Sequence, residues 1–237
     1  MKKAVLFDLD DTLIAEEDFI KSGYRTVANL LSGRCGLSRE DLYEELLVLY
    51  KADTKHVFNR LLNAHGISYE KEDILTLVGE YRSHFPEISF FEDVLPTLKA
   101  LRESGVKLGV ISDGYAVTQK NKIAALKAAD LFDKIILTDT LGRDYWKPDE
   151  RSFFLMKEAF GFEFSEMIYV GDNPEKDFYI GKDYPILTIR IDRGNGVYRD
   201  RAYLGGIKEK MRISSLFELL PLTEGSENGK AFKAGES

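Results

Sequence analysis

Short continuous apolar runs that end abruptly in polar, mostly acidic residues set the strongest limit on what this chain can fold into. Ala4-Val5-Leu6-Phe7 runs into Asp8, and Lys107 to Ile111 runs into Ser112-Asp113-Gly114. Ile135-Ile136-Leu137 runs into Thr138-Asp139, Met167 to Val170 into Gly171-Asp172, and Ile186 to Ile191 into Asp192. Such runs, without alternation, are the pattern of strands buried on both faces of a parallel sheet. Helix-period stretches separate them at about 116–127, 149–160 and 175–182, and Pro96 to Ser104 forms another before the second run. Strand and helix in alternation predict an α/β fold, a doubly wound parallel sheet with helices on both faces. Ligands of such sheets sit outside the carboxyl ends of the strands, so the polar termini should gather at one edge.

Residues 14 to about 91 break the rhythm. They offer no strand, and their periodicity predicts four amphipathic helices at about 17–31, 39–50, 54–64 and 71–84. Ser38 and Gly66-Ile67-Ser68 mark turns between them. The expected organisation is a sheet-bearing core of 1–13 plus 92–222 with an all-helical cap, 14–91, inserted after the first strand. The tail, 223–237, is polar and glycine-rich and is expected to be disordered.

Composition narrows the function. The chain has 237 residues, 44 % of them hydrophobic, enough for a sizeable core. Its net charge of −7 argues against electrostatic binding of nucleic acid. One cysteine, Cys35, cannot form an internal disulfide. The start, Met1-Lys2-Lys3, is too short and too charged before Asp8 for a signal peptide, and no apolar run has the length of a membrane span. A soluble cytoplasmic protein is expected.

The first strand delivers Phe7-Asp8-Leu9-Asp10-Asp11-Thr12-Leu13. Alternation puts Asp8 and Asp10 on the same side, where two carboxylates repel unless a cation or a proton intervenes. Magnesium, which favours oxygen ligands, is the expected relief. FDLDDTL resembles the first signature of the haloacid-dehalogenase superfamily. The resemblance continues in order through Val110-Ile111-Ser112-Asp113-Gly114, Lys147-Pro148-Asp149 and Gly171-Asp172-Asn173-Pro174-Glu175-Lys176-Asp177, each at an expected strand end or helix start. It covers about residues 3–192.

The resemblance implies a Rossmann-like core and a Mg2+-dependent phosphatase acting on a small phosphorylated metabolite. Asp8 would attack phosphorus and form an aspartyl-phosphate. Asp10 would protonate the leaving alcohol and then activate the hydrolytic water. The metal would rest on the Asp8 carboxylate, the Asp10 carbonyl and the Asp172 carboxylate. Ser112 and Lys147 would hold phosphoryl oxygens. Asp177 would stand behind them, orienting Lys147 or a metal-bound water, and Thr12 would fix the loop after Asp8 through a hydroxyl-to-backbone bond.

Asp11 and Asp113 read as turn or cap residues. His56, His65 and His84 lack ligand spacing. Arg190, Arg193, Arg199 and Arg201 read as a solvated basic loop rather than an anion site. Trp146 either lines the pocket or packs. Lys21 and Arg25 on the first cap helix are the first candidates for substrate contacts. Other chemistries of the superfamily stay open. Dehalogenases lack the second acid that Asp10 supplies. Phosphonatases need a Schiff-base lysine, for which Lys21, Lys51 and Lys55 are available. Sugar-phosphate mutases share the core residues. A non-catalytic binding module on the same fold is the alternative of a different class.

Overall fold

Apolar continuity and helical periodicity translate into a layered architecture in the computed structural model, which describes residues 1–194 and 196–223, without the side chains of Arg34 and Cys35. Among the described residues the strands are β1 (Ala4–Phe7), β2 (Lys107–Ser112), β3 (Lys134–Leu137), β4 (Met167–Gly171), β5 (Leu187–Ile191) and β6 (Met211–Ile213). They form one parallel sheet in the order β3-β2-β1-β4-β5-β6. The chain winds outward from β1 in one direction through β2 and β3, then returns to its other side as β4. The switch point therefore lies beside the carboxyl end of β1, where a ligand crevice is expected.

Helices α1 (Glu16–Cys35), α2 (Arg39–Ala52), α3 (Val57–Ala64) and α4 (Lys71–Ser83) fall between β1 and β2, followed on the return path by α5 (Val94–Glu103). Three acids in its first turn favour α1, and Gly36, at φ 66°, ends it in a left-handed cap. Ser38 caps α2 by accepting from Asp41 N–H, and Glu70 with Asp73 forms a capping box on α4. Each of these helices buries an apolar stripe against the others. Tyr24, Leu31, Leu42, Leu46, Phe58, Leu61 and Leu77 make a core of their own. Its two connections to the sheet lie together: Ile14 bridges Phe90 in antiparallel fashion, and Phe91 N–H donates to Leu13 C=O at 3.0 Å.

The sheet buries both faces. Val5, Phe7, Leu108, Val110, Ile168 and Val170 pack towards α5, and Leu6, Ile111 and Tyr169 pack towards α7 (Arg151–Phe160). The helix α6 (Ala116–Ala125) follows β2, and α8 (Leu220–Thr223) closes the described chain. The tail expected to be disordered lies outside the described residues, apart from Thr223.

Two expectations need correction. The helix predicted at 175–182 is a series of turns with one 3-10 segment, Tyr179–Lys182. Asp177 is drawn inward there to accept from Asn173 N–H, and the local backbone bonds are short-range, such as Gly181 N–H to Phe178 C=O. The sixth strand was not anticipated, because three residues carry too little pattern. No described helix is long and apolar enough to cross a membrane.

Candidate active site

The ends of β1, β2 and β4 bring Asp8, Ser112 and Asp172 to the switch point, all buried. Asp8 is fixed by its own N–H, which donates to Val170 C=O at 2.8 Å. Lys147, on the loop ahead of α7, reaches the same place from the side. Its ammonium donates to Asp8 Oδ1 (2.5 Å), to Asp177 Oδ1 (2.8 Å) and to the Tyr169 hydroxyl (2.7 Å). Tyr169 in turn donates to Asp177 Oδ1 at 3.0 Å, and Asn173 N–H donates to Asp177 Oδ2 at 2.9 Å. Asp177 is thereby tied to protein groups through both oxygens.

Carboxylate oxygens of Asp8, Asp172 and Asp177 lie within 4.8 Å of one another. Burial pushes the Asp8 carboxyl up to about 6 even though Lys147 pulls it down. Burial, with Asp177 and Asp8 nearby, raises Asp172 well above the usual carboxylate range. Burial alone would lower Lys147, but Asp177 and Asp8 hold it well above its ordinary value. The Ser112 hydroxyl is buried and meets no hydrogen-bond partner among the described residues. Close oxygen donors in excess of their cations suit a hard divalent cation, and an unsatisfied hydroxyl beside them suits an oxyanion. The residues present therefore fit a metal-assisted oxyanion site.

Asp10 is placed differently from its neighbour two residues back. Its carboxylate is not part of the acidic group. Lys122 Nζ donates to Oδ1 at 2.6 Å and Gln119 Nε2 to Oδ2 at 2.8 Å. Neither α6 residue was singled out from the sequence, and neither was Tyr169, hidden within an apolar strand. Lys176 also gains a partner, donating to Asp113 Oδ2 at 2.9 Å.

Several expectations change here. The Thr12 hydroxyl makes no bond to the backbone. It is buried without a partner among the described residues, and the loop after Asp8 is held instead by Leu13 N–H to Leu9 C=O (2.8 Å) and by Arg193, which donates to Thr12 C=O. The arginines after β5 are not one solvated loop. Arg190 is buried, bonded to the Tyr203 hydroxyl and to the carbonyls of Tyr198 and Arg199, and Arg193 pairs with Asp93 at 2.8 Å. Only Arg199 and Arg201 are exposed. Lys21 pairs with Glu17 and exposed Arg25 approaches Glu87, and neither lines the cleft. Lys51 and Lys55 are exposed and also absent from it.

Asp11 and Asp113 behave as turn and tether residues. Asp11, at φ 52°, accepts from the N–H groups of Glu16 and Val197, and Asp113 accepts from the Thr138 hydroxyl and Lys147 N–H. No histidine joins the acidic group.

The cleft above these groups has a volume of about 330 Å³. Its core wall includes Asp8, Asp10, Asp172 and Lys122, and its other wall includes Glu16, Phe19, Tyr81 and Arg82 from the helical insert. Trp146 lines it too, its Nε1–H on Asp139 Oδ1 at 3.2 Å and its ring edge-on to Tyr115. A larger concavity of about 540 Å³ along β3 and α7 holds none of the acids that converge at the switch point.

Known proteins match this arrangement. The profile of the haloacid dehalogenase-like hydrolases fits residues 5–191. A glyceraldehyde 3-phosphate phosphatase from Methanopyrus kandleri is 33 % identical over 84 % of this chain and 87 % of its own length. The protein of the same name from Methanocaldococcus jannaschii is 30 % identical over 84 % of this chain and 88 % of its own. The crystal structure of a HAD phosphatase from Thermococcus onnurineus superimposes with a TM-score of 0.59 at 26 % identity, covering 94 % of this chain and 97 % of that one. With four motifs in order, a sheet that assembles them and phosphatases as relatives, the chain belongs to the haloacid dehalogenase-like hydrolase family.

Proposed function

We propose that this enzyme is a magnesium-dependent phosphatase that hydrolyses a small phosphomonoester through an aspartyl-phosphate on Asp8. The observation that carries the reading is the buried Asp8 carboxylate on the Lys147 ammonium, with the unpartnered Ser112 hydroxyl at the end of the adjoining strand β2. A nucleophile needs an oxyanion site beside it, and Lys147 and Ser112 supply donors for one. Asp8 Oδ attacks phosphorus as the ester oxygen departs, and Asp10 delivers the proton to that oxygen. In the second step Asp10 takes a proton from water as the water attacks the phosphorylated Asp8, releasing inorganic phosphate. Asp177 and Tyr169 hold Lys147 so that it can bind phosphoryl oxygens without rotating. Asp8 and Asp172, with the Asp10 carbonyl, would hold the magnesium ion, which supplies charge neutralisation for the phosphoryl group when bound.

The division of the chain is part of the same reading: a core of 1–13 plus 92–222 does the phosphoryl chemistry and the cap, 14–91, screens the rest of the substrate. The separate apolar core of the insert and its paired connections support this. A cleft of about 330 Å³ suits a short sugar phosphate, and the names of the relatives make glyceraldehyde 3-phosphate the first compound to try. The single cysteine agrees with a reducing compartment, and we take the cytoplasm as its site.

The test is turnover of a panel of metabolite phosphates with and without magnesium, joined to acid-quench trapping of a hydroxylamine-labile phosphoprotein. Magnesium-dependent release of phosphate and labelling lost in Asp8→Asn are expected. Full activity after exhaustive chelation, or labelling retained without Asp8, would overturn the proposal.

A further inference from the structure

Helix α6 belongs to the core, yet it touches both Asp10 and the helical insert. Lys122 is only 2 % exposed, although it is a lysine on a helix at the cleft. Its ammonium lies 2.6 Å from Asp10 Oδ1 and 4.3 Å from the ring centroid of Phe19, a residue of α1 in the insert. Gln119, three positions earlier on the same face, takes the other Asp10 oxygen at 2.8 Å. The adjoining positions face the insert. Thr118 Oγ1 donates to Arg82 C=O at 2.9 Å, and Asn121 Nδ2 donates to Ser83 C=O at 2.7 Å and His84 C=O at 3.1 Å. These carbonyls at the C-terminal end of α4 have no helical partner of their own. One helix of the core thus holds Asp10 and the insert at the same time.

We infer that Lys122 is a positioning residue for Asp10, one that keeps this carboxylate out of the cation site and aimed at the leaving group, and that Phe19 holds it there when the insert is docked on the core. The inference rests on the reading of Asp10 as the group that exchanges a proton with the leaving oxygen.

Asp8 and Asp10 leave the strand on the same side. A free carboxylate beside a divalent cation is itself a good ligand for it, and a ligated Asp10 would be lost to proton transfer. The ammonium and the amide occupy both of its oxygens and prevent that. An ammonium gives a strong, charge-assisted bond. Buried as it is, it cannot relinquish its anion without being left uncompensated. The face of Phe19 completes its surroundings by cation–π attraction. If the insert moved off the core, that face would leave, and Lys122 would be free to hydrate and loosen its hold on Asp10. Cap docking and placement of the acid are in this way one event.

The experiment compares a p-nitrophenyl ester, whose leaving group needs no proton, with an alkyl phosphate, whose leaving group does. It uses the full chain with magnesium and the variants Asp10→Asn, Lys122→Met, Lys122→Arg and Phe19→Leu. Proton transfer is worth about 100- to 10,000-fold, so Asp10→Asn should lose at least about tenfold more kcat/KM, which reports the phosphorylation step alone, on the alkyl ester than on the aryl ester. Lys122→Met should show the same selective loss of kcat/KM. Lys122→Arg should restore part of it, and Phe19→Leu should show the pattern more weakly. A Lys122→Met variant that loses both esters equally, or neither, while Asp10→Asn remains selective, overturns the role of Lys122 and leaves the proposed phosphatase standing. An Asp10→Asn variant without selectivity overturns the assignment of Asp10 and the role of Lys122 with it. Should Lys122→Met fail to fold, Phe19→Leu is judged by the same criterion.

Discussion

On the core wall of the cleft every charged side chain but Asp172 is tied to others by hydrogen bonds or ion pairs among the described residues. Lys147 bridges Asp8, Asp177 and Tyr169, Lys176 holds Asp113, and Lys122 with Gln119 holds Asp10. On the wall supplied by the insert the charged groups stand alone. Among the described residues the Glu16 carboxylate has no ion-pair partner, and the Arg82 guanidinium meets only the face of Tyr115, at 3.8 Å. Burial, then Asp10 nearby, pushes the Glu16 carboxyl up to about 7. On the proposed division of labour, the contrast follows from what each wall would do. Phosphoryl transfer gains from groups that do not reorganise as charge develops, so their positions are over-determined. Recognition needs groups whose bonds are still to be made, and these pair with substrate rather than with each other.

The largest effects should follow from breaking the tied wall. Asp8→Asn removes the proposed nucleophile while keeping its size, and kcat should fall by at least about 10,000-fold. Circular dichroism and melting should show the fold retained. Lys147→Met should act on both activity and stability. It removes one oxyanion donor, worth about 100- to 1,000-fold in kcat. It also leaves Asp8 and Asp177 buried without their cation, so denaturant unfolding should register a loss of about 3–5 kcal/mol. A variant that lost activity with unchanged stability would show that the network around Lys147 is less closely coupled than its distances imply.

A smaller effect is expected at the seam beneath the cleft. Arg193 joins Asp93 to Thr12 C=O, and Asp93 also accepts from Ser215 and from Leu216 N–H. Burial alone would raise the Asp93 carboxyl, but Arg193 and these two donors hold it below its ordinary value of 3.8. A carboxyl lowered on folding stabilises the protein fully above its unfolded pKa, and that contribution is lost as pH falls through the folded one. Asp93→Asn should cost about 1–3 kcal/mol at neutral pH. The gap from the parent should stay constant down to about pH 5 and close only below pH 4. A gap that widened on acidification would reverse the sign and remove the ion pair from the account.

How much of this was legible in the sequence depends on how local each signal is. Asp8, Ser112 and Asp172 follow apolar runs directly, so the strand that buries the run also fixes where the polar residue emerges. The parallel sheet and the helical insert follow from the same patterns. Lys122 and Gln119 carry no such mark. In the sequence they are polar residues on a helix, and their role depends on which face of α6 the sheet and insert leave open to Asp10. Arg190 was misplaced for a related reason. It ends an apolar strand beside other arginines, and only the fold of the following loop brings carbonyls of Tyr198 and Arg199 to it. Thr12 misled in the opposite direction, since its neighbour Asp11 makes the loop contacts that its hydroxyl was expected to make.

The smallest effects should come from the open wall, and they test the comparison most directly. Lys21 and Arg25 are not among the residues that line the cleft, so their replacement should leave the substrate profile as it is. Glu16 and Arg82 line both the catalytic cleft and a second cavity of about 430 Å³ among the insert helices, with Tyr24, Tyr50 and Phe58 on its far side. A substrate longer than a triose phosphate would pass between them. Among the described residues neither group has a hydrogen bond or an ion pair to lose, so Glu16→Gln and Arg82→Gln should fold normally. Contacts with the non-reacting part of a substrate appear in turnover as well as affinity. Each variant should therefore reorder kcat/KM across metabolite phosphates. Activity on acetyl phosphate, which is too small to touch both walls, should stay within about tenfold, or roughly 1.4 kcal/mol of barrier. If instead either variant lost acetyl phosphate and the larger substrates in equal measure, the insert wall would be part of the chemistry, and the contrast between a tied wall and an open one would fail.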